Sequence, residues 1–248
     1  MLEIEGKNAI VTGSAGGIGS AIVQALAESG CNVWACARKF DADFEEKMDK
    51  ISKENGVWIK TVYFDLMDSD AILVGIKGIF KEKVKVDILI NNAGKAHMGL
   101  FELTSMDLVH QIYQTNTFAP MQITQLVLRK MVKQGEGNII NICSVAAYEV
   151  YRGNSVYGGS KAALCSFTQS LAAEMIGKGV RINAIAPGFT DTGMSSVFEG
   201  DNPDLPLARS AIGRKISPSE IGSAVVGLLS PKMNMIIGQV VRVNGGEK

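Results

Sequence analysis

Short apolar runs alternate along this chain with longer segments in which apolar residues recur every three or four positions. The first run, Asn8–Thr12, ends in a glycine cluster, after which apolar residues stand at positions 18, 21, 22, 25 and 26. Such a run is typical of a buried strand, and the spacing after it predicts a helix with one apolar face. The chain therefore opens with a strand that leads directly into a helix.

The same alternation continues to the end of the sequence. It predicts strands at 8–12, 32–37, 57–64, 86–91, 138–143, 180–186 and 238–243. It predicts one helix that begins near residue 18, and others at 41–53, 69–83, 105–132, 156–176 and 219–229. Strands that alternate with helices form βαβ units with right-handed crossovers, so we expect an α/β fold with a parallel sheet covered on both faces.

The chain shows no linker, no low-complexity tract and no repeat of fixed period. Residues 1–248 are therefore expected to form a single domain. Residues 187–216 are rich in Gly, Pro, Ser and Asp and have little periodicity. We interpret this segment as a long excursion that covers the substrate as a lid.

Composition and charge exclude several classes of protein. Hydrophobic residues make up 46% of the chain and charged residues 20%, which is typical of a globular protein. The 25 basic residues cancel the 25 acidic ones, which argues against a general nucleic-acid binder. The 4 cysteines form no CxxC pair, so neither a disulfide framework nor a metal site is expected.

The amino-terminal segment and the distribution of apolar residues bear on location. The first residues, MLEIEGKNAIV, have acids where a secretory signal needs bases. No window approaches the ~18 apolar residues of a membrane-spanning helix. We therefore expect a cytoplasmic protein that does not insert into a membrane.

The glycine cluster after the first strand is the first candidate binding site. Its sequence, TGSAGGIG at 12–19, joins the first strand to the first helix. Glycines allow a tight turn and the close approach of a pyrophosphate, which the free N–H groups of a helix N-terminus attract. The loop therefore predicts a dinucleotide site, whose expected contacts are Gly13, Ser14, Gly17, Ile18 and Gly19.

The end of the second strand indicates which dinucleotide is bound. An acid at this position usually holds a ribose 2′-hydroxyl, whereas a base suits a 2′-phosphate. Here the strand ends in Ala37 and Arg38, followed by Lys39. The planar guanidinium of Arg38 matches a phosphate, and the Ser14 hydroxyl is expected to assist. The sequence favours NADP(H) over NAD, although a lone arginine is by default a solvated surface residue.

Tyr157 and Lys161 stand four residues apart on one face of a predicted helix. A tyrosine that acts as a general acid near neutral pH needs its pKa of about 10 lowered. A nearby ammonium is expected to supply that effect, on the order of two pKa units at ~5 Å. Ser144 ends the fifth predicted strand, and strand ends line the ligand crevice in such sheets.

These residues resemble the short-chain dehydrogenase/reductase family over essentially the whole chain. TGSAGGIG matches the family's TGxxxGxG loop, NNAG at 91–94 matches its NNAG, and the PG at 187–188 matches its PG after the sixth strand. The catalytic tetrad of the family is matched by Asn116, Ser144, Tyr157 and Lys161. The resemblance implies a Rossmann-type sheet of seven strands in the order 3-2-1-4-5-6-7, and a homotetramer or dimer.

The resemblance also implies a role for each matching residue. Tyr157 transfers the hydroxyl proton and Ser144 holds the substrate oxygen. Lys161 binds the nicotinamide ribose and lowers the tyrosine pKa, and Asn116 holds a relay water. The remaining cofactor contacts that it implies are Asp65, Leu66, Asn92, Ala93, Gly94, Pro187, Gly188 and Thr190. Tyr148 and Tyr151, between Ser144 and Tyr157, are candidate walls of the substrate pocket.

Pro120 adds a feature that comes from the residues alone. It stands four residues after Asn116 within a helical pattern, and proline has no N–H to bond the carbonyl of residue 116. The carbonyl is then available to a relay water, and an ordinary proline kink is the alternative interpretation.

The predicted activity is the NADPH-dependent reduction of a ketone. The chain looks most like the bacterial 3-oxoacyl-acyl-carrier-protein reductases within the family. Their acidic carrier needs basic residues at the cleft, yet the turn before the fifth strand carries Glu136. The candidate basic residues that compensate for this acid are Arg129, Lys130, Lys133 and Lys178. The alternatives are a reductase of a free ketone, sugar or polyol, and a non-catalytic dinucleotide-binding regulator.

Overall fold

The computed structural model describes residues 4–199 and 210–246, and in them seven strands form one parallel sheet. The strand order is 3-2-1-4-5-6-7, which confirms the predicted fold class. The strands are β1 Asn8–Thr12, β2 Asn32–Ala37, β3 Ile59–Tyr63, β4 Ile88–Asn91, β5 Gly137–Ile142, β6 Val180–Pro187 and β7 Val240–Val243.

Helices cross between successive strands on both faces of the sheet. They are α1 Gly17–Glu28, α2 Ala42–Asn55, α3 Ser69–Lys81, α4 Met106–Tyr113, α5 Ala119–Gln134, α6 Ser155–Met175, α7 Ser196–Glu199 and α8 Pro218–Leu229. Asp41, Asp68 and Ser217 cap α2, α3 and α8 through side-chain oxygens that accept N–H groups of the first turn. Gly56 ends α2 with φ +66°, the left-handed conformation that glycine adopts most easily.

The central strands are buried on both faces because successive side chains point to opposite sides of the sheet. Ala9 and Val11 of β1 pack in one cluster with apolar residues of α1, α2 and α8. Ile10, between them, packs in a second cluster with Trp34 and with residues of α3, α5 and α6. These two cores hold the strand ends in fixed positions at one edge of the sheet.

The segment 105–132, predicted as one helix, is divided in the structure. A π-helical turn, Gln114–Phe118, separates α4 from α5, and Pro120 is the second residue of α5. Proline donates no backbone hydrogen bond, so the regular ladder is interrupted just before it. The N–H of Ala119 donates to the carbonyl of Gln114, five residues back. The wider turn directs Asn116 into the interior, where it is fully buried.

The predicted lid at 187–216 is only partly covered by the structure. Residues 200–209 of that segment lie outside the described residues, so the prediction stands untested there.

None of the helices within 4–199 and 210–246 combines the length and apolar character of a transmembrane segment.

Candidate active site

A cleft of about 1040 Å³ opens at the carboxyl ends of the strands. Its lining includes the glycine loop, the residues after β4, Ser144, Tyr157 and Lys161, and the residues after β6. In doubly wound sheets the ligand crevice lies at this edge, where the strand order reverses. The structure thus brings the glycine loop, Ser144, Tyr157 and Lys161 into one cleft. The other predicted catalytic and cofactor-binding residues that are not part of its lining are Asn116, Ser14, Arg38, Asp65 and Leu66.

The glycine loop has the shape of an anion cradle. Gly13 has φ +69°, and a Cβ there would lie 2.8 Å from the Cα of Ala93. A Cβ at Gly19 would lie 2.1 Å from the carbonyl oxygen of Gly13. Gly16, at the N-cap of α1, has no side chain to cap the helix, so the first-turn N–H groups face the cleft end of the sheet. These residues fit the pyrophosphate of a dinucleotide.

Thr12 fastens the glycine loop to the end of β4, a role that the motif analysis missed. Its Oγ1 accepts from the N–H groups of Asn92 and Ala93, at 3.0 and 3.1 Å. The Asn92 side-chain amide donates to the carbonyls of Thr12 and Gly13, at 3.0 and 3.2 Å. The Asn92 side chain therefore holds the glycine loop in place. The backbone of Asn92 is then the part of this residue available to a ligand in the cleft.

The end of β2 presents a basic side chain beside this loop. Arg38 is exposed, and it forms no hydrogen bond or ion pair with any residue in the ranges that the structure describes. Ser14 differs from the expectation, because it is fully buried and its hydroxyl donates to the carbonyl of Val11 at 2.9 Å. The hydroxyl therefore shapes the turn, and its burial argues against the expected assistance to a 2′-phosphate.

Two predicted adenine contacts follow β3, the strand next to β2. Asp65 accepts the N–H of Met67 at 2.9 Å, and the Leu66 carbonyl accepts from the Gln114 side chain, also at 2.9 Å. Their contact with adenine stays a prediction. The second bond ties this loop to the π-helical turn.

Tyr157, in the first turns of α6, is 6% exposed and lines the cleft. Burial raises the pKa of its hydroxyl to about 12, while a hydrogen bond with Ser144 opposes that rise. The expectation that Lys161 lowers this pKa below 10 is wrong for this structure, because loss of solvation outweighs the other influences. The hydroxyl consequently keeps its proton at neutral pH and is a proton donor.

Lys161 is 4% exposed and its Nζ donates to the carbonyl of Ile142 at 2.9 Å. Burial lowers the pKa of this ammonium. A Cβ on Gly94 would lie 3.4 Å from Nζ, so the ammonium borders the space beside the NNAG segment. Lys161 thus joins the end of β5 to α6 and presents its charge to the cleft.

Asn116 uses its whole side chain to hold the loop after β4. Its Oδ1 accepts the N–H of Lys95 at 2.7 Å, and its Nδ2 donates to the Lys95 carbonyl at 3.0 Å and to the Ser160 hydroxyl at 2.9 Å. Ser160, which was not anticipated, donates to the carbonyl of Tyr157 at 2.7 Å. The Asn116 side chain is therefore occupied by protein groups, and a relay water at its backbone carbonyl stays a prediction.

The residues after β6 form another wall of the cleft. The Gly188 N–H donates to the Val243 carbonyl at 2.9 Å, and a Cβ on Gly188 would lie 2.8 Å from the Cα of Asn244. Thr190 is buried and donates to the carbonyl of Gly188 at 2.9 Å. Pro187, Gly188 and Thr190 all line the cleft, as the motif comparison indicates.

The substrate side of the cleft is mainly apolar. Tyr151 lines it, together with Met98, Leu100, Val145, Phe189 and Met194. Tyr148 does not line the cleft, contrary to its assignment as a pocket wall. The guanidinium of Arg242 lies 4.6 Å from the centre of its ring, and its hydroxyl pairs with Cys165.

Charged residues that sequence reasoning assigned to the cleft lie elsewhere. Glu136 precedes β5, so it lies at the amino end of the sheet, where it pairs with Lys7 and Lys85. The four basic residues that were expected to compensate for Glu136 lie at the same end of the sheet. Arg129, Lys130 and Lys133 are in the last turns of α5, and Lys178 comes just before β6. Arg152 lines the cleft and is exposed. Within the described ranges, no cluster of three or more potential metal ligands is found.

Ser144→Ala is expected to raise the pKa of Tyr157 further, because the Ser144 hydrogen bond lowers it. Alcohol oxidation needs the deprotonated tyrosine, so the rate of the variant should begin to rise at a higher pH than the rate of the wild type. The measurement is the pH profile of alcohol oxidation, with Ser166→Ala on the exposed face of α6 as the matched control. An unshifted profile in the Ser144 variant would show that the bond does not tune the tyrosine.

Comparison with protein families places the chain among dehydrogenases. The model of the family described as short chain dehydrogenase matches residues 7–202. The 3-oxoacyl-[acyl-carrier-protein] reductase of Vibrio cholerae is 36% identical over 99% of this chain and 98% of its own length. The corresponding reductase of Escherichia coli K12 is 34% identical over the same shares.

The chain is also similar to solved structures of dehydrogenases and reductases. A proposed NAD(P)-dependent gluconate 5-dehydrogenase from Beutenbergia cavernae, with NADP bound at low occupancy, matches with a TM-score of 0.90 and 31% identity. The match covers 99% of this chain and 98% of that one. A tryptophan variant of actinorhodin polyketide ketoreductase with NADPH matches with a TM-score of 0.89 and 28% identity, over 97% of each chain.

Proposed function

The chain belongs to the short-chain dehydrogenase family, and we propose that within it this protein uses NADPH to reduce a 3-oxoacyl group carried by an acyl-carrier protein. As a member it is an oxidoreductase that acts on CH–OH and C=O groups, with a nicotinamide dinucleotide as cofactor. The finer assignments of NADPH and of a carrier-linked substrate are the proposal. Catalytic activity replaces the alternative of a silent regulator.

One observation carries the assignment of a reductase. The buried, protonated hydroxyl of Tyr157 pairs with Ser144 in a cleft that also holds Lys161 and the glycine loop. When bound, a nicotinamide dinucleotide supplies the hydride. Tyr157 then donates the proton to the carbonyl oxygen, and Ser144 orients that oxygen by a hydrogen bond. The Lys161 ammonium, which donates a hydrogen bond to the Ile142 carbonyl, places a positive charge in the same cleft.

The choice of NADPH rests on the end of β2. Ala37 gives no carboxylate to oppose a phosphate, and Arg38 is exposed with no competing partner among the described residues. A hydrogen bond to a charged group contributes roughly 1.5–3 kcal/mol, and each ~1.4 kcal/mol is a tenfold change in affinity. We expect a preference for NADPH of about ten- to a hundredfold.

The carrier-linked substrate is supported by the names of the relatives and by the cleft itself. The apolar wall suits an acyl chain, because apolar ligand groups bind mainly to apolar side chains. The exposed Arg152 at the cleft supplies positive charge for an acidic carrier or its linker phosphate. Glu136 does not oppose this, because it lies at the other end of β5.

The test compares NADPH oxidation with acetoacetyl-carrier protein and with unlinked ketones, including sugars. We expect kcat/KM to be at least tenfold higher for the carrier-linked substrate. Arg152→Ala should raise KM for that substrate several-fold and leave unlinked ketones unaffected. Arg129→Ala, at the amino end of the sheet, is the control and should change neither. Higher kcat/KM on a sugar or free ketone would replace this proposal with reduction of a free carbonyl compound.

Assembly and location extend the proposal. The resemblance to the family implies a homotetramer or dimer, and Phe118, which is 55% exposed, is one of several large apolar side chains on the described surface. We infer a cytoplasmic homotetramer or dimer, which the mass of the native protein in solution tests.

A further inference from the structure

Two thiols that the proposed reaction does not use lie beside its catalytic residues. Cys143 directly precedes Ser144, and Cys165 follows Lys161 by one turn of α6. They are 3% and 4% exposed, and they pack in one small cluster that also contains Leu164. The end of β5 and the catalytic helix therefore meet at a cluster that contains both thiols.

The two sulfur atoms are chemically unequal. Hydrogen bonding from Cys143, a second hydrogen bond from the Tyr148 hydroxyl and the charge of Lys161 lower the pKa of Cys165 to about 7, against the effect of burial. The same pairing raises the pKa of Cys143 well above its usual value. Near neutral pH the pair combines a nucleophilic thiolate with a neutral thiol that can resolve an oxidised sulfur.

The cleft gives solvent a route to Cys143, which is part of its lining, and Cys165 packs in the same cluster as Cys143. The remaining cysteines serve as internal references. Cys31 is buried, its thiol donates to the Ile4 carbonyl at 2.9 Å, and its pKa is raised to about 12. Cys36 is buried and its pKa is raised even further by burial. Neither has the features of a reactive thiol.

We propose that Cys143 and Cys165 form a redox-modification site that reacts with a hydroperoxide and closes to a disulfide, which switches off the adjacent active site. The site is separate from the reductase chemistry, since no thiol takes part in the transfer of the substrate proton. The proposal rests on the packing of the two thiols in one cluster, the unequal surroundings of each, and the access from the cleft.

The reaction balances in two steps. The Cys165 thiolate attacks one peroxide oxygen, so that an S–O bond forms, the O–O bond breaks, and the leaving oxygen takes up a proton to become water or an alcohol. The Cys143 sulfur then attacks the sulfenic sulfur of Cys165, so that an S–S bond forms and the S–O bond breaks, releasing water. The two thiols lose two electrons and two protons in total, and the peroxide is reduced.

Closure disturbs catalysis because of where the two sulfurs are attached. A disulfide holds its sulfurs about 2.05 Å apart, closer than any contact between unbonded sulfurs. The bond therefore ties the backbone next to Ser144 to the turn of α6 after Lys161, and we expect it to displace both. A shift of ~1 Å in catalytic groups is enough to lower a rate about a hundredfold.

The experiment treats the reduced, full-length protein with increasing hydrogen peroxide and follows activity together with the cross-linked peptides by mass spectrometry. We expect a Cys143–Cys165 disulfide to appear in step with at least a tenfold loss of activity, and dithiothreitol to reverse both. Cys165→Ala should resist inactivation, and Cys143→Ala should accumulate a sulfenic acid at Cys165 that dimedone traps. Cys36→Ala is the matched control and should behave like the wild type.

Two results would contradict the formation of a regulatory disulfide. The absence of the Cys143–Cys165 peptide from inactivated wild type, or equal inactivation of the Cys165 variant, would overturn the proposal. A disulfide without loss of activity would overturn the switch. Should either variant fold poorly, the peptide map and the dithiothreitol recovery of the wild type still decide the outcome. Because the cross-link is read without turnover, the result is independent of which ketone is the substrate.

Discussion

Tyr157→Phe is expected to lower kcat by about 10²–10⁴-fold, the usual contribution of a positioned general acid. Phenylalanine keeps the packing of a side chain that is 6% exposed and removes only the hydroxyl. Cofactor affinity should stay within about twofold, because a proton transferred in the transition state contributes to kcat and little to ground-state binding. The measurement is kcat for ketone reduction together with the dissociation constant of NADPH.

Tyr151→Phe is the matched control for that variant. Tyr151 lines the same cleft but precedes α6, and its loss of a hydroxyl should change kcat by no more than a few-fold. If Tyr157→Phe retained a substantial share of wild-type turnover, another group would have to supply the proton. Loss of cofactor binding in the variant would instead assign the hydroxyl to binding.

Replacing Ala37 with Asp and Arg38 with Gln should reverse the cofactor preference. The new carboxylate accepts from a ribose 2′-hydroxyl and repels a 2′-phosphate, while the base that held the phosphate is lost. A preference for NADPH of about ten- to a hundredfold should become a similar preference for NADH, a change of about 10²–10⁴ in the ratio. The measurement is kcat/KM with each cofactor in the wild type and in the variant.

The structure adds a requirement to that design. Ala37 is 8% exposed within an apolar cluster, so a carboxylate there loses hydration and should lower the melting temperature. Arg38→Gln alone is the control, because it changes an exposed residue and should make the two cofactors nearly equivalent. Equal kcat/KM values in the wild type would identify Arg38 as an ordinary surface residue.

The sequence predicted what depends on strand ends and local motifs. Apolar runs place Thr12, Asn91, Cys143 and Ala186 at the ends of parallel strands, and the structure moves the last two ends by one residue, to Ile142 and Pro187. The motifs that follow the strands meet in one cleft because the carboxyl ends of parallel strands lie on the same side of the sheet. Strand order and the cleft therefore agree with expectation. The seven-strand order itself came from the family resemblance.

Features that depend on side-chain contacts were beyond the sequence. The hydroxyls of Thr12 and Ser160 have no spacing that reveals their partners, and the burial of Ser14 is decided by the turn around it. The pKa of Tyr157 was misjudged because a charge partner was counted and the loss of water was not. Pro120 was the available signal for the divided helix, since it lacks the N–H that a regular helix needs.

The turn at Gly56 lies at the end of the strands opposite the catalytic cleft. It joins α2 to β3 at the edge of the sheet remote from the cleft, is exposed, and a Cβ placed there would meet nothing within 4 Å. One strand of about 17 Å lies between it and the catalytic rim. We expect a peptide tag, a surface anchor or a second protein inserted at this turn to leave the catalytic site intact. The turn is therefore a suitable attachment point for fused or immobilised forms of this enzyme.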